Sequence, residues 1–441
     1  MQRLLLTELK KWKESERRKP LIVKGVRQCG KTHLLQAFGE SCYADVAYFN
    51  FEGNHALAER FAVDLDVQRI ISELGILRKK AIRPGETLII FDEIQFCNPA
   101  LTSLKYFCEN APEYHVVCAG SLLGIALSRP LSFPVGKVDF LTLYPMNFQE
   151  FLLANDEEML CEYLTNLGAQ EKVSALFAEK LEGYLRSYYI TGGMPEAVSV
   201  WLKTRDIHEL ETVQQRILDS YELDFAKHAP GKDFPKLSAI WRSIPLQLAK
   251  ENSKFVFSQV KKGWRAKDLE DALEWLLSAG LIYKTARIEK PFLPLSAYAD
   301  QSFFKLYLAD VGLLRKMSDL PAEAILAKNE LYREFKGALT ENYVLCELRT
   351  GQGGGDAFFW RSDNVAEVDF VVQRGMDIIP IEVKSERNDH AKSLTTYRKK
   401  YEPRTAFKFS MKNVSSEEPR TVPLYLIWQL EKYIAAPEKK T

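Results

Sequence analysis

Residues 20–40, PLIVKGVRQCGKTHLLQAFGE, decide how the first third of this chain folds. The apolar run at 21–23 predicts a short buried strand, and Leu34, Leu35 and Phe38 recur at helical spacing. Between them lie Gly25, Val26, Arg27, Gln28, Cys29, Gly30, Lys31 and Thr32, a GxxxxGK[ST] loop with the strand and helix it requires on either side. Gly25 and Gly30 let the backbone wrap a phosphate without a Cβ in the way. The loop amides and the helix N-terminus then supply partial positive charge, so the run through His33 is expected to line a nucleotide. Lys31 can reach β and γ oxygens, and Thr32 can ligate Mg²⁺.

A second stretch, GETLIIFDEIQF at 85–96, sets an apolar strand directly before Asp92 and Glu93. Downstream of a phosphate loop, Asp92 is expected to hold Mg²⁺ and Glu93 to polarise the water that attacks a γ-phosphate. A third strand, HVVCAGS at 115–121, ends in Ser121, which either senses that phosphate or caps the helix expected from LLGIAL. With apolar runs at 46–52 and 138–144, about five strands alternate with helices, which predicts an α/β, doubly wound parallel sheet.

These stretches resemble the AAA+ superfamily. More narrowly, GVRQCGKT, LIIFDEIQ, CAGSLLGIAL and LTLYPMNFQEFL, with YYITGGMPEAV at 188–198 and KLYLADVGLL at 305–314, resemble ATPases that join an AAA+ P-loop module to a C-terminal DUF4143 domain. The resemblance spans almost the whole chain. It implies ATP and Mg²⁺ as cofactors, nucleic acid and further copies of the chain as partners, and a cytoplasmic protein. One departure stands out: relatives carry Gly-Arg where this chain has Gly136-Lys137, and lysine lacks the planar fork of arginine. Arg129 is the alternative source of that charge.

At 441 residues the chain exceeds one ordinary core, and about two to four domains are expected. Hydrophobic residues make up 46% and aromatic residues 12%, which supports globular folding throughout. The net charge of +1 confines any nucleic-acid surface to a local patch. Seven scattered cysteines without a CxxC pair fit a reduced chain better than a disulfide scaffold, and no apolar run is long enough to span a membrane. The expected divisions are an ATPase core at 1–150, a helical lid at 151–230, a winged-helix-like segment at 231–320 and a nuclease-like domain at 321–441.

Within the middle, Thr191-Gly192-Gly193-Met194-Pro195 predicts a helix stop and restart, either a hinge or a plain turn. Farther on, Leu269, Leu273, Leu276 and Leu277 define a helical core face, followed by the strand GLIYKTARI. Asp268, Glu270, Asp271 and Glu274 on the other side of that helix would repel phosphates, which favours a structural or protein-contact role. Lys261, Lys262, Arg265, Lys284 and Arg287 leave a weaker DNA reading around the wing.

In the C-terminal quarter, AEVDFVVQRGMDIIPIEVKS at 366–385 reads as a hairpin. A two-residue loop of Gly375 and Met376, in the type II′ arrangement, faces Arg374 with Asp377 and Asp369 with Glu382. Their Cβ atoms would then lie about 4.5–5.5 Å apart, and the two carboxylates repel each other unless a cation lies between them. Alternation sets Lys384 on the face of Glu382, while Ile381 and Val383 point to the core. Asp, then Glu-x-Lys on the next strand, resembles the PD-(D/E)xK nuclease superfamily, whose fold is α/β and restriction-endonuclease-like. The resemblance implies Mg²⁺ on Asp369 and Glu382, charge stabilisation by Lys384, and a helical glutamate, Glu341, completing the site. The superfamily also includes inactive DNA- or protein-binding scaffolds, and that alternative stays open.

Overall fold

The computed structural model describes residues 1–120, 134–229, 231, 233–250, 253–327, 333–351, 354–362, 366–386 and 392–436. Ser121 and Arg129, both singled out above, lie outside the described residues. The chain divides into two compact units. One comprises Gln2–Tyr144 with Ser278–Leu281; the other comprises Met1, Pro145–Leu277 and Ile282–Thr441.

The first unit is built on five parallel strands: β1 Leu21–Lys24, β2 Asp45–Asn50, β3 Thr87–Asp92, β4 His115–Ala119 and β5 Asp139–Thr142. Their spatial order is β2-β3-β4-β1-β5, so β4 lies between the strand before the glycine loop and the strand before Asp92. Strand alternation divides the apolar residues between two faces. Ile22, Ala47, Phe49, Ile89, Phe91, Val116 and Cys118 join one core with Leu57, Phe61, Ile70, Leu74, Leu104 and Phe107 from three helices. On the other face, the helix Lys31–Cys42 packs so closely that a Cβ on Gly39 would sit 2.5 Å from Val46. Each fully buried Leu, Ile or Phe stabilises the unit by ~1.5–3 kcal/mol before chain entropy is counted.

The second unit holds a run of helices and a seven-stranded mixed sheet. The helices Phe148–Ala154, Glu158–Asn166, Ala175–Thr191, Pro195–Thr204 and Ile207–His228 fill the segment expected to be helical. The Gly192-Gly193 break is a packed junction. A Cβ on Gly192 would lie 2.1 Å from Asp310 Oδ1, and one on Gly193 would lie 2.0 Å from the Met146 carbonyl oxygen. Gly193 N–H donates to Asp310 Oδ2 at 2.6 Å, and Met146 N–H donates to the Gly193 carbonyl at 2.7 Å. Residues 145–150, expected within the ATPase core, therefore bond inside this unit, and Phe148 N–H donates to buried Glu347 at 2.8 Å.

The sheet strands are β6 Ile282–Ile288, β7 Ala299–Leu308, β8 Ala357–Arg361, β9 Glu367–Arg374, β10 Asp377–Val383, β11 Phe407–Ser410 and β12 Arg420–Pro423, in the order β12-β11-β10-β9-β8-β6-β7. β6 pairs with β8 through Arg287–Phe359 and Ile288–Trp360. One sheet thus crosses the division expected at residue 320, because the wing-like strand finds its partner in the C-terminal segment. The helix Ala266–Ser278 buries Leu269, Leu273 and Leu276 as its spacing predicts, leaves Leu277 half-buried, and exposes Glu270, Asp271 and Glu274. All seven cysteines are free, and no helix among the described residues is long and apolar enough to cross a membrane.

Candidate functional site

The glycine loop joins β1 to the helix Lys31–Cys42. Gly25 has φ 152°, and a Cβ there would meet the Leu143 carbonyl oxygen at 2.1 Å, so β1 and the end of β5 approach only because the side chain is absent. Gly30 at φ 92° and Gln28 at φ 64° complete the turn. Val26 and Cys29 are buried, Arg27 is half-buried, and Gln28 and His33 face outward. Lys31, 6% exposed, donates from Nζ to the carbonyls of Gly25 at 2.9 Å and Val26 at 2.8 Å, which holds the ammonium under the loop.

Thr32 Oγ1–H, in the first turn of the helix Lys31–Cys42, donates to Asp92 Oδ2 at the end of β3 at 2.7 Å. Asp92 is 3% exposed, and its Oδ1 accepts the Glu93 amide at 3.0 Å. Glu93 sits at φ 51°, a left-handed conformation uncommon for a side-chain-bearing residue and characteristic of sites where geometry is imposed. Gln95 Nε2 donates to the Glu93 carboxylate. A hydroxyl and a carboxylate in contact beside a phosphate loop form a hard-oxygen donor pair that suits Mg²⁺.

Two side chains here carry no local sequence signal. Tyr48 on β2 donates its hydroxyl to Asp92 Oδ2 at 2.8 Å, and burial, then that bond, holds the phenol above its ordinary pKa. Arg3 reaches the carbonyls of Cys29 at 2.8 Å and Tyr144 at 2.6 Å, tying the loop to the end of the unit. Only the strand register, Tyr48 beside Ile90 and Asn50 beside Asp92, points to Tyr48. Lys137 pairs with Glu109 at 2.8 Å on the surface of this unit.

In the second unit, β9 and β10 pair in the expected register, Arg374 with Asp377 through Phe370 with Ile381. Gly375 has φ 58° and Met376 is not among the positive-φ residues, as the II′ turn requires. The paired residues end at Phe370 and Ile381, with Asp369 and Glu382 the next along each strand; Val383 N–H donates to Asp369 Oδ2 at 2.7 Å, and Ile381 and Val383 are buried. The helix Arg333–Thr350 is fixed against β7 by Asn342, which bonds both Leu308 N–H at 2.8 Å and Leu308 C=O at 3.1 Å. Its neighbour Glu341 thereby meets Tyr307 O–H at 2.9 Å and Lys305 Nζ at 3.4 Å.

The structure thus brings Glu341, Asp369, Glu382 and Lys384 to one region and adds Lys305, Tyr307 and Glu367. Lys305 is 1% exposed and lies 2.6 Å from Glu367. Burial alone would lower its pKa, but Glu341, Tyr307, Glu367 and Asp369 outweigh that and hold the ammonium charged. Half-buried Asp369 is pushed well above the usual carboxylate range by desolvation and then by Glu341. Glu382 pairs with Lys384 at 2.7 Å and accepts the Leu394 amide at 3.1 Å. Among the described residues, no three His, Cys, Asp or Glu side chains lie close enough together to share a metal ion.

Comparison with known proteins bears on both units. Residues 17–152 match the family model described as an AAA domain, residues 182–324 a domain of unknown function (DUF8612), and residues 336–429 a domain of unknown function (DUF4143). No curated protein matches. Among solved structures, the chain is similar to the Walker-type ATPase PABY2304 of Pyrococcus abyssi, at 16% identity over 71% of this chain and 95% of that one, with a TM-score of 0.45. It is also similar to the Aeropyrum pernix ORC1 protein in complex with DNA (13% identity, 74% and 95% covered, TM-score 0.30). A third is AMPPCP-bound DnaA from Aquifex aeolicus (17%, 63% and 87%, TM-score 0.25). The parallel five-strand sheet and the Lys31–Thr32–Asp92 geometry lie within the segment that matches the AAA-domain model, and their arrangement is that of a P-loop nucleotide-binding module.

Proposed function

We propose that the chain is a Mg²⁺-dependent ATP hydrolase whose C-terminal module binds nucleic acid as a scaffold. The observation that carries the first half is the 2.7 Å Thr32–Asp92 contact directly beneath the glycine loop. Loop amides from Gly25 to Lys31 receive the phosphates, and Lys31 turns from the loop carbonyls to the β and γ oxygens. Thr32 and Asp92 would hold Mg²⁺, which when bound neutralises charge on the phosphates. Glu93, oriented by Gln95, takes the proton of the attacking water. Titration of a fluorescent ATP analogue tests this: the wild-type chain binds, and Lys31→Ala abolishes binding. Equal affinity in both contradicts the assignment.

Nucleic acid is the partner favoured by a strip next to the acidic residues. The half-buried Phe303 ring lies under Lys254 at 3.9 Å, Arg287 at 4.5 Å and Arg361 at 5.9 Å. Cations for phosphates beside an aromatic face for bases form the pattern of single-strand binding surfaces. The further copies of the chain implied by the AAA+ resemblance belong to the same proposal.

A second reading, Mg²⁺-dependent cleavage of a phosphodiester, is favoured by the hairpin, whose register ends just before Asp369 and Glu382, and by Lys384 lying 2.7 Å from Glu382. Incubation with branched, nicked and single-stranded DNA in Mg²⁺ or Mn²⁺ separates the two. Cutting that disappears in Glu382→Ala establishes a nuclease; binding without cutting supports the scaffold.

A further inference from the structure

The acidic face of the second unit is held together by protein cations at the places where a metal would be needed. Four carboxylates lie in this region, from the helix Arg333–Thr350 (Glu341), from β9 (Glu367 and Asp369) and from β10 (Glu382). Left alone they would repel one another, and a divalent ion is one way to relieve that. The structure relieves it otherwise. Lys305 enters from β7 and spans Glu367 Oε1 at 2.6 Å and Glu341 Oε2 at 3.4 Å, with its Nζ shut away from water. Arg361 lies 3.7 Å from Glu367 Oε2, and Tyr307 supplies a second donor to Glu341.

The same holds nearer the hairpin. Glu382 Oε1 faces Lys384 at 2.7 Å, and its Oε2 accepts the Leu394 amide at 3.1 Å, at the start of the helix Lys392–Tyr401. Asp369 Oδ2 accepts the Val383 amide at 2.7 Å. Mg²⁺ demands several oxygens converging at about 2.0–2.1 Å in near-octahedral geometry. Glu341 Oε2, both Glu367 and both Glu382 oxygens, and Asp369 Oδ2 are instead directed at ammonium, guanidinium, hydroxyl and amide donors, and a buried lysine cannot swing into water to make room. The residues present do not fit a divalent ion.

We infer that Lys305 and Lys384 are the resident counter-ions of this cluster and that the C-terminal module takes up neither Mg²⁺ nor Mn²⁺. The inference rests on reading that module as a binding scaffold. It makes Lys305 the residue that converts a nuclease-like acidic pattern into a charge-balanced junction between β7, the helix and β9.

The test counts protein-bound Mn²⁺ by electron paramagnetic resonance on the full chain, after gel filtration with a non-hydrolysable ATP analogue. One Mn²⁺ per chain is expected, lost in Lys31→Ala and unaffected by Asp369→Asn. No bound Mn²⁺ at all also supports the inference, while counting against the ATP site. A second Mn²⁺ per chain that survives in Lys31→Ala and disappears in Asp369→Asn overturns it, leaving the ATP reading intact.

Discussion

Glu93 occupies a left-handed backbone conformation that its side chain does not favour, and its carboxylate is held by Gln95 two positions along the chain. A general base must be aimed before it can act. Gln95→Ala is therefore expected to lower kcat about tenfold while KM changes little, with Gln95→Asn recovering part of the loss. A change confined to KM would place Gln95 in binding instead. The same scale marks the limit of sequence reading. Lys31, Thr32, Asp92 and Glu93 were legible because each sits in a contiguous strand–loop pattern. Tyr48, Arg3 and Lys305 were not, because each reaches its partner from a segment distant in sequence, and no local spacing encodes that.

Elements tell a similar story. The β9–β10 hairpin could be registered residue by residue because a two-residue turn fixes every pair beyond it. Gly375 at its tip has open space around a would-be Cβ, so Gly375→Ala meets only the left-handed backbone penalty, about 1 kcal/mol in denaturant unfolding. Gly193 has a backbone oxygen 2.0 Å from that position, and Gly193→Ala should cost upwards of about 3 kcal/mol. Equal losses at the two sites would contradict the packed-junction account. The TGGMP break was legible as a turn, but Asp310 and Met146 as its partners were not, since both lie far from it in sequence. The wing-like strand misled for a related reason: a helix followed by a hairpin looks self-contained until β8 is found pairing with it.

On the scale of the molecule, the second unit buries acids whose protons stabilise the fold. Burial raises Glu347 to about 8 and Asp310 to about 6. A raised carboxyl contributes stability that is fully present below its unfolded pKa and is lost as pH rises through the folded one. For Glu347 the loss runs from about pH 4.5 to about 8, at most ~1.4 kcal/mol per pH unit. Glu347→Gln should flatten that slope in denaturant unfolding measured across this range; an unchanged slope would show that Glu347 titrates normally. The parallel sheet of the first unit was foreseeable at this scale, because alternating strands and helices leave few topologies. The single mixed sheet of the second was not, since it is assembled from strands on both sides of the helix Arg333–Thr350.

In the proposed mechanism Asp92 would hold the metal and Glu93 would take the proton at one ATP site. The most direct measurement is the identity of the nucleotide that co-purifies with the Glu93→Gln chain after incubation with Mg²⁺ and ATP. Retained ATP and turnover at least about a hundredfold below wild type are expected. ADP at wild-type turnover would contradict it.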